Sequence, residues 1–343
     1  MRFSLRLNND IEPGAFAELA EVAERVGFEQ LWVSNDLFLR SAPVLLAAAA
    51  ARTTRLQLGT GIMNPYSIHP AELAMLAGTM QEATAGRFLL GLGAGAEDFL
   101  RWAGLERPWP LARTREAVVA IRTLLAGGRP SERDDAGHGW TPEAYLRVAA
   151  HPTPIYLGVM SPRMLALAGE LADGALPLLF PPEHYPTAAL QAAEGCATAG
   201  RTVDALDIAA CVWASVDADA DAARHALATK IAYFGPSFAP YLLERAGLSV
   251  ADFGPVSETL ARDGIDAAAG RVDERMLRLG IAGGAQDIIE RCAWLVDQGA
   301  RHVSFGPPLG PDPRRAVEVL GTEVLPALRR RSGPAGGEEG ATR

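Results

Sequence analysis

The chain is poor in cysteine, in positive charge and in long apolar runs, and each scarcity excludes something. Only three cysteines occur in 343 residues, Cys196, Cys211 and Cys292. None has the paired spacing of a zinc site or redox motif, so they read as buried thiols of a protein in a reducing compartment. The six histidines are equally scattered; His138, His151, His184, His225 and His302 show no metal-ligand spacing, and no metal is expected. Lys and Arg total 32 against 41 Asp and Glu, a net charge of −9. That balance argues against nucleic-acid or anionic-membrane partners, which are held through clustered cations. The start, "MRFSLRLNND", turns polar too soon for a signal-peptide core, and "LLAAAAARTT" is broken by Arg52, so neither secretion nor a membrane span is expected. A cytoplasmic location follows. No Gly-x-Ser-x-Gly elbow occurs, and Ser161 precedes a proline, which disfavours a serine hydrolase.

What is present is core material: 49% of residues are hydrophobic and 21% charged. Short apolar runs alternate with longer segments of helical period, the pattern of parallel strands joined by crossover helices. Strands are expected at 3–7, 30–34, 55–61, 87–95, 154–158, 175–179, 207–216 and 302–306, with helices at 13–28, 42–53, 70–86, 115–128, 162–174, 183–200, 220–234 and 285–300. Eight strands with intervening helices predict an α/β fold of the (β/α)8 TIM-barrel type, one domain over 1–330. Insertions are expected at 128–153 and 235–284, with a disordered tail at 331–343.

In such a barrel the segments following the strands share one face, where active sites lie. They form an unusual set here: Asn8-Asn9, Ser34-Asn35-Asp36, Gly61-Ile62-Met63-Asn64, Gly93-Ala94-Gly95-Ala96-Glu97, Gly158-Val159-Met160-Ser161, Trp213-Ala214-Ser215 and Gly306-Pro307. Glycines at 93, 95 and 158 let an anion approach the backbone, although βα turns use glycine for ordinary reasons too. In "LGVMSPRML" Ser161 suits a helix cap, Pro162 its first position, and Arg163 a phosphate partner. "LLGLGAGAEDF" also approaches a dinucleotide fingerprint, but beyond Glu106 comes a turn and a helix instead of a strand closed by an acidic residue. Trp102, Trp109 and Trp213 suit either a pocket wall or core packing, and His69 suits a helix start.

The stretches "GTGIMNPYSIHPAELAMLAGTMQEATAGRFLLGLGAG" and "IYLGVMSPRMLALAGELADGAL" resemble the bacterial-luciferase-like superfamily of (β/α)8 oxidoreductases. Within it they resemble the deazaflavin (coenzyme F420) branch typified by methylenetetrahydromethanopterin reductase, and the likeness spans about residues 1–330. The resemblance implies a non-prolyl cis peptide at Gly61–Ile62 backing the cofactor ring, with Ser34, Gly61, Ile62, Met63 and Asn64 beside it. It implies that Gly93, Ala94, Gly95 and the run Gly158, Val159, Met160, Ser161, Pro162, Arg163 and Met164 hold the phosphate-bearing tail. It also implies a homodimer acting on a small-molecule substrate. Many F420 enzymes of the family carry an acidic residue followed by His after the second strand. This chain has Ser34-Asn35-Asp36 instead, which leaves Asp36, Asn35 or Glu97 as the group handling the proton. The expected activity is F420-dependent hydride transfer. FMN-dependent monooxygenation with a separate reductase is an alternative, and a non-catalytic accessory barrel is a second.

Overall fold

The computed structural model describes residues 1–149 and 151–332. Its strands are β1 (Arg2–Leu7), β2 (Gln30–Val33), β3 (Gln57–Thr60), β4 (Phe88–Leu92), β5 (Ile155–Val159), β6 (Gly174–Pro177), β7 (Asp207–Ile208), β8 (Ala210–Val216), β9 (Ile281–Gly283) and β10 (His302–Leu309). All pair in parallel, in the order β7-β6-β5-β4-β3-β2-β1-β10-β8-β9, as a curled α/β sheet. The seventh expected strand is broken at a single residue: β7 pairs with β6, β8 pairs with β10, and Ala209 between them still donates to the Ala175 carbonyl at 3.0 Å.

Period-two alternation sends the two faces of each strand to different cores. Phe3, Leu5 and Leu7 of β1 pack with helix residues such as Phe16, Leu19 and Ala20 in the large outer core. A smaller inner core gathers Trp32, Leu89, Tyr156, Leu176 and Ala209. The Trp32 ring lies 4.8 Å from that of Tyr156, and Gly59 has no side chain because a Cβ there would come within 2.3 Å of the Trp32 ring.

Near the N-terminal ends of the strands is a polar floor. Ser4 Oγ and His302 Nε2 are 2.8 Å apart, His302 Nδ1 lies 3.2 Å from the Asp207 carboxylate, and Tyr156 Oη donates to Asp207 Oδ2 at 2.7 Å. Arg2 pairs with the same carboxylate. Burial pushes the Asp207 pKa up, but His302, Arg2 and Tyr156 outweigh it and hold the group well below the usual carboxylate range. In this Ser–His–Asp chain Ser4 and His302 are fully buried while Asp207 is partly exposed, and the chain stands at the end of the sheet opposite the strand-end loops.

Within the expected insertion 235–284, Ile281–Gly283 adds β9 alongside Ala214–Val216 of β8. A three-residue run is too short to register as a period, and only its pairing with β8 defines it. At the other end, the helix Leu325–Ser332 takes in the first two residues assigned to a disordered tail; the rest of that tail lies outside the described residues. Of the thiols, Cys196 and Cys292 are buried while Cys211 is only partly so. No helix is long and apolar enough to cross a membrane among the described residues.

Candidate active site

The end of β3 departs from the ladder at one peptide. Gly61 still donates to Val33 O at 2.6 Å, the Gly61–Ile62 bond is cis, and pairing resumes where Met63 donates to Gly91 O and Gly93 donates to Met63 O, both at 2.9 Å. Ile62 is thereby left outside the ladder, half-buried, with its side chain directed at the neighbouring strands. A Cβ on Gly158 would come within 2.8 Å of Ile62 Cγ2, and one on Gly93 within 3.2 Å of its Cδ1. These glycines therefore have a packing reason as well as any ligand-binding one: they make room for Ile62. Met63 is buried. Asn64 Oδ1 accepts from Tyr66 N, Ser67 N and Ser67 Oγ at 3.0, 2.9 and 3.1 Å, an Asx turn that ends the bulge. Gly95, at φ 74°, lies against the Asn64 side chain.

The loops after β4 and β5 are neighbours because those strands pair. Among the described residues the N–H groups of Ala94, Gly95, Ala96, Met160 and Ser161 have no acceptor, so they are available to an anion. Ser161 Oγ accepts from Met164 N at 3.4 Å and caps the helix Pro162–Leu171. Pro162 and Arg163 are exposed, Met164 is half-buried and Val159 is buried.

The loop after β2 is held from β1. Buried Asn9 accepts from Ser34 Oγ at 2.8 Å and donates through Nδ2 to Asp36 O at 2.9 Å and Arg40 O at 2.6 Å. Asn35 Oδ1 accepts from Ala42 N at 3.1 Å, so that side chain caps a helix start. Burial raises the Asp36 carboxyl pKa, resisted by Ser34 and by the charge of Lys230, with Asp10 adding to the rise. Glu97 is exposed and paired with Arg107 at 2.6 Å.

Of the aromatic residues, Trp213 is buried, whereas Trp102 and Trp109 are exposed. His69 caps the helix Pro70–Ala83 through Nδ1. Two cations at the strand ends escaped the sequence reading. Arg6 of β1 donates through Nε to Ser304 Oγ at 3.2 Å and through Nη2 to Val212 O at 2.9 Å. Lys230, on the helix Ala220–Phe234, lies 3.9 Å from the Phe234 ring centroid and 5.7 Å from that of Trp213. A signal was available for each: Arg6 is the one charged residue in the alternating run Phe3–Leu7, and Lys230 is the only lysine in the chain.

In a parallel α/β fold the loops that follow the strands share one face, and enzymes of this architecture carry their sites there. Residues 1–302 match the luciferase-like monooxygenase family, and the chain belongs to that family. It is 33% identical over 340 residues to the 5,10-methylenetetrahydromethanopterin reductase of Archaeoglobus fulgidus, covering 96% of this chain and 100% of that protein. It is 29% identical over 350 residues to the F420-dependent glucose-6-phosphate dehydrogenase of Microbacterium testaceum, covering 96% and 98%. The structure of the coenzyme F420-dependent tetrahydromethanopterin reductase of Methanopyrus kandleri superposes with a TM-score of 0.89 at 30% identity, covering 95% and 99% of the two chains.

Proposed function

We propose that this protein is an F420-dependent oxidoreductase that exchanges a hydride between the deazaflavin and a small organic substrate, on a single (β/α)8 barrel closed through Ala209. The observation that carries the reading is Ile62. Displaced from the ladder between Gly93 and Gly158, it presents an apolar surface at the strand ends beside five unpartnered N–H groups, which suits a flat ring with an anionic tail. The relatives named for F420 support the same cofactor.

In this reading Ile62 backs the ring, and Gly61, Met63 and Asn64 shape the bulge beneath it, with Ser34 alongside. The loops Gly93–Ala94–Gly95 and Gly158–Met164 receive the phosphate-bearing tail, with Arg163 as its countercharge. The bound deazaflavin supplies the hydride chemistry. Asp36, whose protonated form is favoured by burial, holds the proton that accompanies the hydride. Asn9 fixes the backbone of that loop, and Asn35 supports it by capping the next helix. Glu97, tied to Arg107, acts on the tail loop instead of on the ring.

Titration of the purified protein with F420 and, separately, with FMN tests the assignment. F420 is expected to bind, with a change in its fluorescence; tight FMN binding without F420 binding would make the protein a flavin monooxygenase. Cofactor binding with no turnover on any substrate offered would indicate an accessory barrel. A homodimer belongs to the same proposal, and light scattering at micromolar concentration is expected to return twice the mass of one chain.

A further inference from the structure

Arg6 and Lys230 are cations from opposite parts of the chain that share Trp213 as a neighbour: Lys230 lies 5.7 Å from its ring centroid, Arg6 lines a crevice with it, and the Asp36 carboxyl acts on Lys230 from the loop after β2. Among the described residues neither has an ion-pair partner within 4 Å, and Arg6 Nη1 has no acceptor at all. The Arg6 guanidinium lies over Gly306, where a Cβ would stand 2.4 Å from its Nη2. Lys230 rests on the Phe234 ring with Trp213 beside it, an arrangement that holds an ammonium through the ring quadrupole. Trp213 also lines, with Arg6, Leu179, Phe180 and Phe238, a narrow crevice, and Lys230 approaches the same Trp213 ring from outside that lining. Two cations around one aromatic side chain, with Arg6 Nη1 free to donate, suit an oxyanion attached to an apolar body.

We propose that Arg6 and Lys230 together bind the carboxylate of the substrate, between β1 and the helix Ala220–Phe234. This rests on the oxidoreductase reading only for which molecule carries the carboxylate. The local charges favour a monoanion. Against the two cations stand Asp36, partly buried, and Asp10, exposed to solvent and screened, so one further negative charge is accommodated more readily than two. Arginine would serve for charge alone, as it does at every other basic position of this chain. A lysine here adds a compact ammonium that is able to lose its proton.

Calorimetric titration of the F420-saturated protein with acetate, benzoate and phenylacetate, with benzamide as neutral isostere and phenyl phosphate as dianion, tests the proposal. An aromatic carboxylate is expected to bind at least about tenfold more tightly than benzamide, and Arg6→Gln and Lys230→Gln are each expected to weaken it at least about tenfold. Lys230→Arg is expected to retain binding at pH 7. Burial first and Arg6 second lower the Lys230 pKa to about 8, opposed by Asp36 and Asp10. Carboxylate affinity should therefore fall as the pH rises past about 8 in the parent protein and stay level in Lys230→Arg. Unchanged F420 affinity in each variant serves as the folding control. The proposal is overturned if no carboxylate binds, if benzamide binds equally, if phenyl phosphate binds more tightly, or if F420 displaces the carboxylate, which would put it in the tail site. If the parent protein does not bind F420, the oxidoreductase reading fails, and the same titrations on the free protein still decide the carboxylate site.

Discussion

Asp36 is the side chain on which the proposed chemistry turns, and its environment makes a paired prediction. Its pKa in the folded protein is raised, chiefly by burial. The group therefore favours folding below its unfolded pKa, and that contribution is lost as the pH rises through the folded value, leaving a cost at neutral pH. Asp36→Asn removes the ionisation while keeping the shape. Its melting temperature at pH 7 is expected to equal or exceed that of the parent, while turnover falls by roughly 10²–10⁴ with F420 affinity retained. Stopped-flow oxidation of reduced F420 measures the rate; a parental rate would remove Asp36 from the proton path. A residue that costs stability where it stands has the signature of a functional group.

Among the elements, the bulge after β3 and the glycines opposite it act as one unit. Gly158 lies on β5 and Ile62 beyond β3, yet each determines what the other position tolerates, since an added Cβ would stand 2.8 Å from Ile62 Cγ2. Gly158→Ala is expected to push Ile62 toward the ring site at a cost of about 1–3 kcal/mol, read as weakened F420 binding by fluorescence titration. Adding Ile62→Ala to that variant is expected to recover part of the loss, because the two positions share one space and their effects should not add. An unaltered affinity in Gly158→Ala would separate Ile62 from the cofactor. The run "LGVMSPRML" announced its capped helix in advance, since Ser161 reaches a backbone N–H only three residues on. The packing role of Gly158 was hidden, because its partner is almost a hundred positions away.

For the molecule as a whole, the polar floor ties strands from both halves of the curled sheet to one carboxylate. Asp207 begins the two-residue strand beside the break at Ala209, and it collects Arg2 from β1, Tyr156 from β5 and His302 from β10. Asp207→Ala leaves those groups without their carboxylate and is expected to lower unfolding free energy by about 3–5 kcal/mol in urea. With the folded pKa held below the usual range, this contribution is present above the unfolded carboxylate pKa and is lost as the pH falls through the folded value. The gap between parent and variant should accordingly narrow as the pH drops below about 4. A variant as stable as the parent at pH 7 would show that the apolar core alone holds these strands together.

The strands, the crossover helices and their caps were legible from composition and period, because each depends on residues within a turn or two of one another. "FSLRL" alternates and "PRMLALAGEL" repeats at helical spacing regardless of what surrounds them. For the candidate site, glycines and polar residues at strand ends pointed to where to look, and the family likeness suggested a ligand. The short strand Ile281–Gly283, the Ser4–His302–Asp207 chain, and the gathering of Arg6 and Lys230 about Trp213 were not legible. Ser4 and His302 are 298 positions apart, and nothing local records that they touch. Which charges end up facing each other follows from sheet register and from how the curled sheet's ends meet, and these are properties of the packed chain, not of any segment.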